Sequence, residues 1–97
     1  MYAVILRYQK PLAEIENHVE AHRQWLRAQY AAGHFLLSGP QRPRVGGFIL
    51  AAAMERPRLD AILAEDPFQR NGLADYEVID VAATVTDPRL AFLAETA

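Results

Sequence analysis

The chain contains no cysteine, which excludes a disulfide framework, a thiolate nucleophile and a zinc site with cysteine ligands. Neither sign of charge dominates: the chain has 10 Lys and Arg residues and 12 Asp and Glu residues, which gives a formal net charge of -2. This balance is not typical of a general nucleic-acid binder or of a binder of anionic membranes. No apolar run approaches the roughly 20 residues that span a bilayer. The apolar run at the beginning of the sequence is too short for a signal peptide, so we expect a cytoplasmic protein.

The composition is typical of one globular domain. Of the 97 residues, 52% are hydrophobic and 23% are charged, which excludes disordered and collagen-like chains. A chain of this length supports a single hydrophobic core. We predict one domain over the whole chain, with a core that ends at about residue 83 and a C-terminal tail after it.

β-Branched and aromatic residues predict four strands, and apolar residues at helical spacing predict two helices between them. The predicted strands cover residues 2–8, 34–38, 45–53 and 76–83. The first predicted helix covers 12–32, and the second runs from Pro57 to near Asp66. A further short helix is predicted from Pro88. The order β-α-β-β-α-β indicates an α+β, ferredoxin-like fold with a four-stranded antiparallel sheet.

The first and third predicted strands are apolar on both faces. In the first strand, Val4 and Leu6 lie on one face while Ala3 and Ile5 lie on the other. Two helices cover only one face of such a sheet, so the other face needs a second layer. We therefore predict a homodimer in which the two sheets pack face to face.

The most informative residue is His22, because it stands where the first predicted helix calls for an apolar side chain. The surrounding apolar stripe at helical spacing is Leu12, Ile15, Val19, Leu26 and Tyr30. A buried imidazole without a partner costs roughly 1–3 kcal/mol, so a partner or a solvent-filled cavity is expected. Two interpretations fit the pattern equally well: a general acid or base, and a structural histidine satisfied by a backbone carbonyl.

Asp66 is the candidate partner of His22. The Asp66-Pro67 pair is also typical of a helix N-cap followed by the first helical residue. However, Asp66 comes at the end of the preceding helix, where the dipole disfavours a carboxylate, and this position indicates a specific partner. If that partner is His22, the carboxylate fixes one imidazole tautomer and makes the ring a better base.

Further polar residues are candidates for binding a substrate. Ser38 has no G-x-S-x-G elbow around it, and Gly39-Pro40 after it predicts a turn, so Ser38 and Gly39 are candidates for orienting a substrate rather than for nucleophilic attack. Arg7 is either an anion contact or a strand-end arginine that reaches solvent. Arg42 and Arg44 form either a solvated turn or a gate for an anionic substrate.

Metal binding has weak support in the sequence. His18 and His22 stand four residues apart, a spacing that can share a metal, but no HExxH context and no third ligand accompanies them. We expect neither a metal nor a cofactor. His34 is expected to be an exposed cap or strand-edge residue, and Trp25 and Phe68 are expected in the core.

Several segments taken together resemble the YCII-related (YciI-like) family: AHRQWL at 21–26, GHFLLSGP at 33–40, GGF at 46–48, DPF at 66–68 and GL at 72–73. The resemblance implies a ferredoxin-like dimeric α/β barrel. It also implies an active site in which His22 and Asp66 match the family's histidine and aspartate, with Ser38-Gly39-Pro40 beside the pocket. Relatives with known chemistry include dehydrochlorinases of chlorinated hydroxylated aromatics.

Three functions fit these observations. The first is a cofactor-independent lyase, isomerase or hydrolase in which His22 moves a proton on a small cyclic or aromatic substrate and Asp66 orients the imidazole. The second is a binding or accessory module that holds a metabolite in the same pocket without chemistry. The third is a structural dimer in which His22 is a satisfied core residue. A contact between His22 and Asp66 beside a solvent-open cavity would favour the first two.

Overall fold

Four strands and four helices form the fold in a computed structural model, which describes residues 1–95. The strands are β1 (Tyr2–Tyr8), β2 (Phe35–Pro40), β3 (Gly46–Ala51) and β4 (Ala74–Asp80). The helices are α1 (Leu12–Glu16), α2 (Val19–Ala31), α3 (Arg56–Ala64) and α4 (Pro67–Arg70), and a 3-10 segment spans Pro88–Leu93. Within residues 1–95, no helix has the length and apolar character that crossing a bilayer requires.

The strands are ordered β2-β3-β1-β4 in one sheet, and each neighbouring pair is antiparallel. This is the ferredoxin-like α+β arrangement predicted from the order of elements. The central strand β1 places Val4 opposite Ile49 on one side and opposite Val78 on the other. Val4 is fully buried and Ile49 almost so, because the helices cover this inner face of the sheet.

The core lies between the inner face and the helices. Trp25 and Phe68 are buried within it, as predicted. The Trp25 Nε1–H donates a hydrogen bond to the carbonyl of Ile62 at 3.1 Å, which ties α2 to α3. Other members of the core include Tyr2, Leu6, Ile15, Phe35, Leu59 and Leu63.

The single helix predicted over 12–32 is wrong, because the chain forms two helices there. The amides of Asn17 and His18 donate to carbonyls three residues back rather than four, so the helix tightens into a turn between α1 and α2. Asparagine is a weak helix former, which suits it to this position. The predicted apolar stripe is accordingly broken: Leu12 is 44% exposed and Tyr30 is 39% exposed.

The strand boundaries also differ from the prediction. β2 continues through Ser38-Gly39-Pro40, where a turn was expected; proline is tolerated there because β2 is an edge strand. β3 is shorter than predicted, and Val45 before it is 55% exposed. β4 runs over Ala74–Asp80 rather than 76–83, because its pairing with β1 already begins opposite Tyr8.

Gly46 allows β3 to approach the central strand closely. A Cβ at this position would lie 1.7 Å from the carbonyl oxygen of Leu6, which no side chain can accommodate. Next to this contact, the side-chain amide of Gln41 donates to the carbonyls of Leu6 and Gly47 at 3.2 and 3.1 Å. The β2–β3 loop, which carries Arg42 and Arg44, is therefore anchored to the sheet.

The outer face of the sheet, away from the helices, is apolar at its centre. Register places Ala3 opposite Leu50 and Ile5 opposite Phe48 on this face, and all four side chains are partly exposed. Ile79 extends the apolar surface on β4 and is 41% exposed. This two-faced apolar character of the sheet follows the strand pattern of the sequence.

Candidate functional site

A pocket of about 340 Å³ lies between the inner face of the sheet, α1, α2 and the β2–β3 loop. Its volume is in the range of small-molecule sites. The apolar part of its lining includes Leu6, Val19, Leu26, Ile49 and Phe68. The polar part comprises Tyr8, Glu16, His22, Arg23, Ser38 and Arg44.

Helix α2 presents His22 to this pocket, and two aromatic rings lie next to its imidazole. The imidazole stacks on Phe68, with ring centroids 4.0 Å apart and 5° between the planes. Trp25, one turn further along α2, lies with its ring centroid 5.6 Å from that of His22. The His22 side chain remains 15% exposed, so a molecule in the pocket can reach it.

His22 meets Asp66, as expected. The Nδ1 atom of His22 lies 2.8 Å from Oδ1 of Asp66, a side chain with no exposed surface. The same oxygen accepts the backbone N–H of Phe68 at 3.0 Å, so Asp66 is both the N-cap of α4 and the partner of His22. When Asp66 is ionised, its carboxylate only accepts hydrogen bonds, so this contact favours the tautomer of neutral His22 in which Nδ1 carries the proton and donates it.

The second ring nitrogen of His22, Nε2, is available to a molecule in the pocket. Nε2 has no hydrogen-bond partner among residues 1–95. In the same part of the chain, every fully buried side-chain nitrogen or oxygen has a partner, so Nε2 is in contact with solvent. With Nδ1 protonated, the free lone pair lies on Nε2, and this atom is a proton acceptor open to the pocket.

Sequence reasoning missed a third member of this cluster, Tyr76. Its hydroxyl donates to Oδ2 of Asp66. Burial, together with the negative charge of Asp66, raises the pKa of Tyr76 far above its usual value, so the phenol stays protonated and remains a donor. One sequence signal was available: Tyr76 alternates with Ala74 and Val78 on the inner face of β4, where a phenolic hydroxyl needs a partner.

Two of the other predicted residues lie beside His22. Ser38 and Gly39 both line the pocket, because β2 continues through them and directs Ser38 to the inner face opposite Ile49. The Ser38 hydroxyl oxygen is 2.7 Å from the hydroxyl oxygen of Tyr30. A ligand in the pocket would therefore meet a hydroxyl that is already positioned by a hydrogen bond.

The structure does not bring Arg7 to the pocket. Alternation along β1 places Arg7 on the outer face, where its guanidinium pairs with Glu77 at 2.8 Å. The anion contact predicted for Arg7 is therefore not part of this site. The interpretation as a strand-end arginine that reaches solvent describes its place, since its side chain is 55% exposed.

The two arginines of the β2–β3 loop differ in their position relative to the pocket. Arg44 lines the pocket and forms an ion pair with Glu16 of α1, whereas Arg42 does not line it. Hydrogen bonding to Glu16, and then to Tyr8, raises the pKa of Arg44. Arg23 of α2 also lines the pocket, and we call these three charged residues the charged pocket rim (Glu16, Arg23 and Arg44).

The remaining histidines have structural surroundings. His34 is half-buried rather than exposed, because its Nδ1 pairs with the buried Gln29 Oε1 at 2.7 Å and its Nε2 accepts from Arg58 at 3.1 Å. His18 takes the N-cap position of α2 without a capping hydrogen bond from its side chain. Over residues 1–95, no group of three or more His, Asp or Glu side chains is suited to hold a metal ion.

The chain is similar to a known domain family and to a solved structure. Residues 1–82 match the family model of the YCII-related domain. A similar solved structure is 5-chloro-2-hydroxyhydroquinone dehydrochlorinase (TftG) from Burkholderia phenoliruptrix AC1100, in complex with 2,5-dihydroxybenzoquinone. It aligns with a TM-score of 0.70 and 22% sequence identity, over 84% of this chain and 93% of that chain, and this likeness shows a shared fold.

No curated protein matches the sequence significantly. The family model nevertheless covers most of the chain, including both partners of the His22–Asp66 pair and the strands that form the pocket. The chain therefore belongs to the YCII-related family.

Proposed function

We propose that this protein is a cofactor-independent enzyme that transfers a proton on a small cyclic or aromatic substrate. In this proposal His22 is the general acid and base, and Asp66 orients its ring. One observation carries the proposal: the solvent-open pocket contains an imidazole whose Nδ1 is held by a fully buried carboxylate, while its Nε2 has no partner among residues 1–95. A histidine that served only the core would have both ring nitrogens satisfied by the protein.

The proton moves through Nε2. A substrate whose acidic hydrogen lies within hydrogen-bond reach of Nε2 gives up that proton, and His22 becomes an imidazolium. Asp66 stabilises the imidazolium through Nδ1–H, and the hydroxyl of Tyr76 keeps the carboxylate in place. The imidazolium then returns the proton to the product or to water, so the enzyme ends in its starting state.

Lyase-type chemistry is the reaction that we favour. The similar structure is that of a dehydrochlorinase with a bound dihydroxybenzoquinone, and a flat ring of this kind suits a pocket that places Phe68 and Ile49 near His22. In such an elimination Nε2 takes the proton, the electron pair of the broken bond to hydrogen forms the new double bond, and chloride leaves with the electrons of the carbon–chlorine bond. Isomerases and hydrolases use the same first proton transfer.

The test is turnover by the wild-type protein. Chlorinated and unchlorinated hydroquinones, including 5-chloro-2-hydroxyhydroquinone, are incubated with the protein, and released chloride and organic products are measured. We expect product formation that depends on His22. If ring compounds bind in the pocket but none is converted, the protein is instead a small-molecule-binding module, the second function that the sequence allows.

We also propose that the protein is a homodimer joined through the outer face of the sheet. The partly exposed apolar side chains Ala3, Ile5, Phe48 and Leu50 support this proposal, because monomers rarely expose a continuous apolar surface of this kind. Both copies would present the same face, as a two-fold axis requires.

Leu50→Arg is expected to convert the dimer into a monomer, because it buries a charge at the centre of the proposed interface. Size-exclusion chromatography with light scattering measures the mass, and circular dichroism checks that the variant is folded. The matched control is Val85→Arg, since Val85 is 90% exposed in the tail. A wild-type protein with the mass of one chain would contradict the proposed dimer.

A further inference from the structure

The pocket rim carries a surplus of positive charge. It has two guanidinium groups, Arg23 and Arg44, against one carboxylate, Glu16. Within residues 1–95, Arg23 takes part in no ion pair, and Arg44 pairs with Glu16. The pocket therefore has two different surfaces, the charged pocket rim and an apolar wall (Leu6, Val19, Leu26, Ile49 and Phe68). A ligand that contacts both favourably has a ring and an anionic group.

Arg44 is held at the rim by a fixed stretch of backbone. The N–H of Tyr8 donates to the carbonyl of Val45 at 2.9 Å, and the N–H of Gln41 donates to the carbonyl of Gly46 at 2.9 Å. These bonds, on either side of Arg44, anchor the loop to β1 and β3. The Arg44 side chain is 38% exposed, so its guanidinium can change partners while the backbone stays in place.

Glu16 supplies the carboxylate that pairs with Arg44 in the pocket. Its side chain is 52% exposed, and ion pairs between such exposed groups contribute little to stability. A carboxylate or an ionised ring hydroxyl offers Arg44 the same charge-assisted hydrogen bond that Glu16 offers. The exchange of one oxygen anion for the other at Arg44 is therefore nearly balanced, and the contacts of the ring with the apolar wall favour the ligand.

We propose that the pocket selects ring compounds that carry an anionic oxygen, and that Arg44 exchanges Glu16 for this oxygen while the ring lies against the apolar wall beside His22. The inference rests on the proposed function, because it names the class of substrate for the same site. Arg44 is then a specificity residue: it binds the charge of the ligand, whereas His22 moves the proton.

Two probes of the same shape test the proposal: 4-hydroxybenzoate, which is an anion, and 4-hydroxybenzamide, which is neutral. Their dissociation constants are measured with the full chain by chemical-shift titration. We expect the anion to bind roughly tenfold more tightly than the amide, the equivalent of one charge-assisted contact. The preference should shrink at about 1 M salt, where charges are screened beyond about 3 Å.

Three variants test which residue causes the preference for the anion. Arg44→Gln should remove the preference for the anion and leave the affinity for the amide unchanged. Arg42→Gln is the matched control, because it deletes the same charge from the same loop at a residue outside the pocket; it should keep the preference. Glu16→Gln should tighten the binding of 4-hydroxybenzoate severalfold, because no carboxylate of the protein then competes with the ligand for Arg44.

Some outcomes would overturn the inference. Equal affinity for the two probes, equal effects of Arg44→Gln and Arg42→Gln, or no shift at pocket residues with either probe would each do so. None of these binding results decides the proposed proton transfer, which is judged by turnover that depends on His22. The two proposals can therefore fail separately.

Discussion

His22→Gln is expected to lower kcat/KM by about 10²- to 10⁴-fold, the usual contribution of a positioned general acid or base. Glutamine is a suitable substitution because it keeps a hydrogen-bond donor at this position and removes the group that accepts a proton. Its amide offers a donor to the buried carboxylate of Asp66, the group that Nδ1 of His22 contacts, but it cannot accept a proton at neutral pH. The loss should appear mainly in kcat, because the apolar wall that binds the ring is unchanged.

The matched control for this variant is His18→Gln. His18 lies on the same stretch of chain, one turn before His22, and its side chain makes no capping hydrogen bond. Turnover of His18→Gln should equal that of the wild type. A His22→Gln protein that folds and keeps wild-type kcat/KM would contradict the assignment of His22 as the proton-transfer residue.

Gly46→Ala is expected to destabilise the fold strongly, because the added methyl group has no room between β3 and β1. Its Cβ would lie 1.7 Å from the carbonyl oxygen and 2.7 Å from the carbonyl carbon of Leu6, both of which are backbone atoms. No rotamer change relieves such an overlap, so β3 must move away from β1. Overpacking typically costs about 1–3 kcal/mol and occasionally more. An overlap with backbone atoms belongs at the upper end of this range, which corresponds to a loss of about 10 °C or more in Tm for a chain of this size.

Gly39→Ala is the control for that measurement. A Cβ at Gly39 would meet nothing within 4 Å, so its melting temperature should stay close to the wild-type value. Thermal unfolding followed by circular dichroism compares the two variants. If Gly46→Ala melts together with Gly39→Ala, the close approach of β3 to the central strand is absent in solution.

The fold could be predicted because its evidence is local. A run of β-branched and aromatic residues defines β1, and the order of strands and helices leaves few topologies for a four-stranded sheet. His22 could be singled out for a similar reason, since a histidine among apolar positions such as Val19 and Leu26 interrupts a pattern that can be counted.

The composition of the candidate site depended on contacts between segments that are distant in the sequence. His22 and Asp66 are separated by 44 residues, so the sequence could nominate the pair but could not establish that they meet. Tyr76 was missed because its partner, Asp66, comes from another element. Arg7 was placed at the site although strand alternation sends it to the outer face, and the break at Asn17 changed which residues of the helix are buried.

The two interpretations of Asp66 turned out to be compatible. One oxygen of its carboxylate caps α4 through the N–H of Phe68 and also accepts from His22, while the other accepts from Tyr76. A carboxylate has about four lone-pair sites, so three donors are within its capacity. A local pattern that explains a residue as a helix cap therefore does not exclude a second role for the same side chain.

The central claim is that Asp66 keeps the proton of neutral His22 on Nδ1 and leaves Nε2 as the base. ¹⁵N NMR of the imidazole nitrogens measures this directly, without a substrate, at a pH above about 8, where histidines are ordinarily neutral. We predict a protonated Nδ1 and an unprotonated Nε2 for His22. A His22 that carries its proton on Nε2 would contradict the account, because the atom open to the pocket would then have no lone pair with which to accept a proton.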